Sequence, residues 1–363
     1  MKSQTRLILI GLFCLFALLS VACVPTATSQ PEVTSPPEEE KPTELHLFVW
    51  SDELPEETIN AFQEETGIRV TVDTYDSNES MIAKLEAGAT GYDIVNPSQY
   101  AVQILINKGL LEQLDHSKLS NYNNLSEVFK NVSFDAGNKY SIPYLWGTTG
   151  LAYNDTCVNE PVTSWKALWD EKYAGRIYML DNMLAAYIAG LQINGFDANS
   201  TNPDEIAKAT ESLIKQKKVL AGYNSTNFAD LVASGEACLV QAWSGNVIQV
   251  IDENPHVHYV IPDEGGTMWV DSYSIVQGAK NVKAAYLFID YLLRGDVAGN
   301  VTNLTKIAST VATATEYIDS KIANNPAIFP PEEKIANADF ILDPGEAMKY
   351  FQEGWTKVKA ATP

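Results

Sequence analysis

The chain has few cysteines, few bases and no long apolar run after its first 22 positions, and each shortage excludes a class of function. Four cysteines occur in 363 residues. Cys14 lies inside the apolar leader and Cys23 just behind it, which leaves Cys157 and Cys238, with no metal-binding spacing among them. Outside the cytoplasm two such residues either pair or remain separate buried thiols, and the sequence leaves both open. The 25 Lys and Arg face 46 Asp and Glu, a formal charge of −21. Nucleic acid and anionic lipid need a basic surface, so this chain suits neither. A cationic solute would be drawn in by the same field, although an acidic surface also serves plain solubility. A hydrophobic fraction of 45% without further apolar spans excludes a polytopic membrane protein.

Catalytic signatures are also missing. There is no G-x-S-x-G elbow, no phosphate loop and no H-E-x-x-H. His256 and His258 alternate on one face of a strand and read as an exposed pair rather than metal ligands. No spacing among the acids selects a glycosidase pair. An anchored enzyme is therefore the weaker reading, and nothing in the chain calls for a cofactor.

What is present begins with a leader. Lys2 and Arg6 precede the apolar stretch Leu7 to Leu19, which is too short for a comfortable membrane span, and Ser20-Val21-Ala22 forms a small-residue cleavage site. Cys23 follows directly. The arrangement resembles the lipobox of bacterial lipoproteins, in which that cysteine carries lipid, although Ser20 stands where leucine is usual; the bland alternative is an ordinary signal peptide cut before Cys23. Residues 23–44, rich in proline, Ser, Thr and Glu, read as a disordered tether.

The folded part is organised around Leu47-Phe48-Val49-Trp50-Ser51-Asp52-Glu53-Leu54-Pro55. An apolar strand ends in Trp50, Ser51 and Asp52; a helix follows with Pro55 in its first turn, Glu56 and Glu57 at its positive end, and Ile59 and Phe62 on one face. Gly67 ends it and a second strand, Ile68 to Val72, starts at once. This β-α-β unit opens a doubly wound α/β sheet, whose ligands sit beyond the carboxyl ends of the strands. Helices are expected over Ser80 to Glu86 and Ala101 to Lys108, with Ser98 to Tyr100 at another strand end. Leu145 to Tyr153 and Met268 to Val276 read as strands crossing between two lobes. Between them lie the strand Ile177 to Leu180, helices from Met183 and Asp204, and a strand that ends in Trp243-Ser244-Gly245-Asn246. A helix from Lys283 to Leu293 turns Ala284, Tyr286, Leu287, Ile289 and Leu293 inward. The chain returns to the second lobe at about Ala312 and ends in an amphipathic helix around Met348 to Val358. These crossings give lobe 1 as residues 45–147 plus 271–311 and lobe 2 as residues 148–270 plus 312–360.

Several stretches together resemble the bacterial spermidine- and putrescine-binding proteins, the extracytoplasmic solute receptors of polyamine ABC importers. They are Trp50-Ser51-Asp52, Glu65 to Ile68, Tyr75 to Glu79, Tyr92 to Val95, Ser141 to Gly147, Val162 to Trp165, Trp243 to Gly245, Trp269 to Ser272 and Tyr291 to Ala298, in the family's order. The resemblance implies a two-lobed periplasmic-binding-protein-like fold that closes by a hinge. It also implies capture without chemistry, delivery to ABC permease subunits, and a monomer. An alkyl diamine needs a carboxylate and further acceptors at each ammonium, flat apolar walls along its methylenes, and aromatic faces that attract the cation. By resemblance Asp52 with Ser51 holds one amine and Asp271 the other, while Trp50, Trp243 and Trp269 sandwich the chain. Asn246 stands beside Trp243, and Ser98, Gln99 and Tyr100 line an edge. Each such residue has an ordinary structural alternative as a cap, turn or core side chain.

Departures from the family narrow the ligand. Two acids expected after Leu180 are replaced by Asn182 and Ala185, a tyrosine by Ile307, a glutamine by Ile341, and the acid of putrescine binders by Asn246. Two remaining carboxylates suit a dication, which favours putrescine or a similar short diamine over spermidine. A receptor of the same fold for another amine-bearing or polar solute is the alternative.

Overall fold

Leu45, Leu47, Phe48 and Val49 are all buried, and this near-continuous apolar run forms the first strand of a sheet covered on both faces, β1 (Glu44–Trp50). The computed structural model describes residues 41–88, 91–335 and 338–362. The expected leader, Cys23 and most of the tether lie outside the described residues, and the strand already begins at Glu44, inside the stretch read as tether. Helix α1 (Glu56–Thr66) follows with Glu56 and Glu57 in its first turn, and Gly67 ends it in the left-handed conformation, its N–H reaching the Gln63 carbonyl. Phe62 is buried and Ile59 only half so. Strand β2 (Arg69–Tyr75) pairs parallel with β1, setting Trp50 opposite Tyr75.

Helix α2 (Asn78–Glu86) starts two residues before the expected Ser80, because Ser77 accepts the Ser80 N–H and so serves as the cap. Strand β3 (Ile94–Val95) leads to α3 (Gln99–Asn107), which likewise begins before the expected Ala101. The long strand β4 (Ile142–Asn154) opens a second series: β5 (Ile177–Met179), α4 (Met183–Gln192), α5 (Pro203–Gln216), β6 (Leu220–Tyr223), α6 (Phe228–Ala233), β7 (Leu239–Trp243), α7 (Ser244–Ile251) and β8 (Val257–Val260). Strand β9 (Thr267–Ile275), α8 (Val282–Leu292), α9 (Gly295–Thr305) and β10 (Ala308–Ser309) follow. The described chain ends with α10 (Ser320–Ala323), α11 (Glu332–Ile335), β11 (Asp339–Phe340) and α12 (Met348–Ala360).

The strands run in the order β2-β1-β3-β9-β4-β7-β5-β6, with β8 and β10 on β4 and β11 on β9. The first three are parallel to one another, as are β5, β6 and β7, while β9 and β4 lie antiparallel in the middle. β4 pairs with β10 near its start and with β7 and β8 towards its end. β9 runs along β4 from Thr267 to Tyr273 and then pairs with β3 through Ser274 and Ile275. These two strands therefore join the halves of the sheet. Gly147, in the middle of β4, lies where a Cβ would come 2.4 Å from Cζ2 of Trp269, so a glycine is needed for the two strands to carry that indole between them.

One detail differs from the sequence reading: Leu287 is 44% exposed, because α8 turns Tyr286, Phe288, Ile289 and Leu292 inward instead. Around the expected return at about Ala312, Val311 and Ala314 belong to the smaller hydrophobic cluster with Leu145 and Tyr273, and Ile322 and Ile328 to the larger one. Helix α12 crosses α4 and α5 at Gly354, where a Cβ would meet the Tyr187 hydroxyl.

Cys157 and Cys238 are joined by a disulfide, with Cα atoms 5.9 Å apart across 81 positions of sequence. It ties the end of β4 to the start of β7, which β4 already pairs. Closing so long a loop restricts the unfolded chain, so reduction should lower unfolding stability by about 2–4 kcal/mol. Chemical denaturation with and without reductant, with Cys157→Ser/Cys238→Ser as control, measures it.

Candidate functional site

Strand β9 carries Asp271 into the interior at 4% exposure. One of its oxygens, Oδ1, accepts from Ser98 Oγ at 2.5 Å and from Trp50 Nε1 at 3.2 Å. Ser98 occupies the N-cap position of α3 yet caps nothing with its side chain; the hydroxyl is turned to Asp271 instead. The backbone fixes that choice, since Ser98 and Asp271 form an antiparallel bridge and the Ser272 N–H reaches the Pro97 carbonyl at 3.0 Å. Asn78 supports Ser98 from behind, donating to its hydroxyl at 3.0 Å and accepting its N–H at 3.2 Å. The Trp50 ring leans on Tyr75 at 4.6 Å. Burial pushes the Asp271 carboxyl up to about 6, against the opposing pull of the hydrogen bonds from Ser98, Glu53 and Trp50.

A second acid is present that the sequence reading passed over. Glu53, in the loop after β1, is 8% exposed and its carboxyl faces that of Asp271. Burial, then the charge of Asp271, then that of Asp52, raise its pKa well above the ordinary carboxylate range. An acid in a loop without periodicity gives no burial signal. The one available hint was its place in the same strand-end loop as Asp52.

The other expected residues divide into three groups. Asp52 and Ser51 are exposed, and Asp52 Oδ2 accepts from Asn246 Nδ2, on the first turn of α7, at 3.3 Å. Trp269 and Trp243 are half-buried. Trp269 lies over Gly147 and donates to the Thr148 carbonyl at 3.2 Å, while Ile307 packs against Gly245 beside it. Trp243 precedes α7 and meets Phe228 edge-on at 5.9 Å. Gln99, Tyr100 and Asn182 are engaged elsewhere. Gln99 is buried and its Oε1 accepts the Val270 N–H at 3.1 Å, so it positions β9. Tyr100 is buried, receives Asn78 Nδ2 at 3.1 Å and donates to Glu79 at 3.1 Å. Asn182 caps α4 through the Ala185 N–H at 2.9 Å and also reaches the Tyr100 hydroxyl. Ala185, Ile307 and Ile341 are buried apolar residues. Asp181 pairs with Lys359 at 2.6 Å, away from the site.

A cavity of about 530 Å³ opens beside the cluster, between Asp52 and Pro55, the end of α7 (Gln249, Asp252, Glu253) and the end of α9 (Leu304 to Lys306). Of the expected site residues only Asp52 lines it. His256 and His258 both bind the Asp155 carboxylate, at 2.7 and 2.8 Å, and their hydrogen bonds lower its pKa. Among the described residues no group of three or more His, Cys, Asp and Glu has a metal-binding arrangement.

Two measurements follow from this geometry. Asp271 holds its proton to a higher pH folded than unfolded, so the unfolded chain ionises first. Its contribution to stability is greatest below about pH 4 and declines as pH rises to about 6. The unfolding free energy of wild type minus that of Asp271→Asn should fall as pH rises through that window, Glu53 sharing in the change because it titrates together with Asp271. Gly147→Ala should cost about 1–3 kcal/mol and shift tryptophan fluorescence, because Trp269 must move aside.

Residues 57–330 match the family described as bacterial extracellular solute-binding protein. The chain is 35% identical over 318 residues to the spermidine/putrescine-binding periplasmic protein of Escherichia coli, covering 87% of this chain and 91% of that one. It is 31% identical over 336 residues to the putrescine-binding periplasmic protein SpuD of Pseudomonas aeruginosa, covering 87% and 92%. Among solved structures, the spermidine/putrescine ABC transporter substrate-binding protein PotD of Streptococcus pneumoniae superposes with a TM-score of 0.78 at 29% identity, covering 87% and 98%. The Tp0655 (TpPotD) lipoprotein of Treponema pallidum gives 0.79 at 29%, covering 87% and 99%. With its two-lobed periplasmic-binding-protein fold, the chain belongs to the bacterial extracellular solute-binding protein family, whose members bind solutes rather than transform them.

Proposed function

We propose that this protein captures a polyamine between its two lobes and delivers it to the permease subunits of an ABC importer. The observation that carries this reading is a buried acid, Asp271, whose hydrogen-bonding partners Ser98, Trp50 and Glu53 include no cation. An ammonium would complete it. Trp50 is bonded to that acid, and Trp243 and Trp269 supply two more flat faces for the methylenes. Asp52, exposed and held by Asn246, is the partner for the second amine, with Ser51 beside it. Relatives named for spermidine and putrescine support the ligand class.

A short diamine such as putrescine is the preferred ligand and spermidine the next. Asn182 is engaged as a helix cap, and Ala185 and Ile307 are apolar and buried, so the far end of the site offers little to a third ammonium. The same apolar replacements favour, as a second reading, a different amine-bearing solute. Lobe 1 takes residues 45–147 plus 271–311 and lobe 2 residues 148–270 plus 312–360, with β4 and β9 as the hinge. Lipid on Cys23 would hold the protein, as a monomer, on the outer face of the membrane. A lipoprotein among its structural relatives supports that anchor.

Calorimetric titration of the protein freed of its leader with putrescine, cadaverine, spermidine and spermine tests the reading. A diamine should bind at micromolar or tighter concentration. Asp271→Asn should weaken it about a hundredfold or more, as for a buried charge contact, and the exposed Asp52→Asn by about tenfold or less. No binding by any of the four would remove polyamines as the ligand and leave the fold assignment untouched.

A further inference from the structure

Glu53 is the buried acid in this site to which neither the sequence pattern nor the capture scheme gives a task. Its Oε2 is buried and meets no hydrogen-bond donor, and the carboxyl of Asp271, itself an acceptor when ionised, interacts with the Glu53 carboxyl. Two ionised carboxylates repel and cannot bond; one proton between them turns the contact into a strong hydrogen bond. The remaining titratable groups facing the pair are the Asp52 carboxylate and the phenols of Tyr75, Tyr144 and Tyr273. Burial raises the pKa of all three phenols, so they stay neutral, and the Tyr144 hydroxyl is donated to the Glu53 carbonyl at 3.1 Å. None of these groups is a cation that could neutralise a doubly ionised pair.

We infer that Glu53 and Asp271 hold a single proton between them in the ligand-free protein, and that the ammonium of an incoming amine takes that proton's place. This rests on the amine-capture reading above. In the exchange the O–H bond of the pair breaks, its proton leaves to solvent, and both carboxylates then accept from the three N–H donors of one ammonium. No oxidation or reduction is involved. A neutral solute of the same shape cannot make the substitution, because nothing would then offset the second carboxylate. Glu53 thus selects for positive charge where Asp271 alone would accept any hydrogen-bond donor.

The test counts protons. Titrating the same protein with putrescine in buffers of different ionisation enthalpy gives the protons released on binding, and infrared difference spectra give the carbonyl stretch of a protonated carboxyl. Wild type should show that band when free and lose it when saturated. It should release up to one proton per ligand while the free pair is protonated, with affinity rising by up to about tenfold per pH unit and levelling off once the free pair ionises. Glu53→Gln keeps the size of the side chain and can donate an amide N–H to Asp271 without an ionisable proton. It should lack the band, release no proton and bind with a nearly flat pH profile. Diamine binding with the same proton count in both proteins, or no band in wild type, would overturn the inference and leave polyamine capture standing. No binding of any polyamine would overturn polyamine capture and take the displacement step with it.

Discussion

The structure depends on one constraint: a carboxyl group placed inside the protein with no basic residue, among the described residues, bonded to it. Asp271 lies on a strand that pairs with both halves of the sheet, and everything near it is arranged to make that position tolerable without neutralising it. Ser98 gives up its role as a helix cap, Trp50 turns its indole N–H inward, and Gln99 and Pro97 bind the adjacent backbone of β9. Neutral donors reduce the cost of burying a charge but do not remove it. What remains is stored as an appetite for a cation.

The same two strands that connect the lobes also build the walls. β9 contributes Trp269 and Asp271 two residues apart, and β4 contributes the glycine that lets the Trp269 ring lie flat against it. In the proposed receptor, groups on these crossing strands would keep their mutual geometry as the lobes close, whereas Asp52 and Asn246 sit on separate elements, the loop after β1 and α7. The proposed site would then have one fixed pole and one assembled on closure.

Much of this was legible from the chain. A strand that ends in Trp-Ser-Asp before a helix with a proline start places its polar residues at a ligand-facing edge, and Trp50, Ser98 and Asp271 do meet there. Helices α2 and α3 begin two residues before their expected starts because the local sequence does not name the residue that ends the loop: Ser77 accepts the Ser80 N–H, whereas Ser98 turns to Asp271. Leu287 fits the apolar side of its helix by composition, but α8 is apolar on more than one side and the partner surface decides which is covered. Glu53 was invisible for a stronger reason. Its burial comes from Asp271, 218 positions away, and from Tyr144 on a third element, and no local pattern encodes such a meeting.

The Asn246–Asp52 contact, 3.3 Å long and solvent-exposed, joins α7 to the loop after β1. A single exposed hydrogen bond to a charged group is worth no more than about 1 kcal/mol, which shifts an open–closed equilibrium by roughly fivefold at most. That contact is joined by the Gln249 amide on the Thr305 carbonyl at 3.5 Å and by Ile307 packed on Gly245, so this pole is closed by several weak contacts rather than by one lock. In the proposed receptor a bound solute would add its own grip to theirs, and release to a permease would have to overcome both.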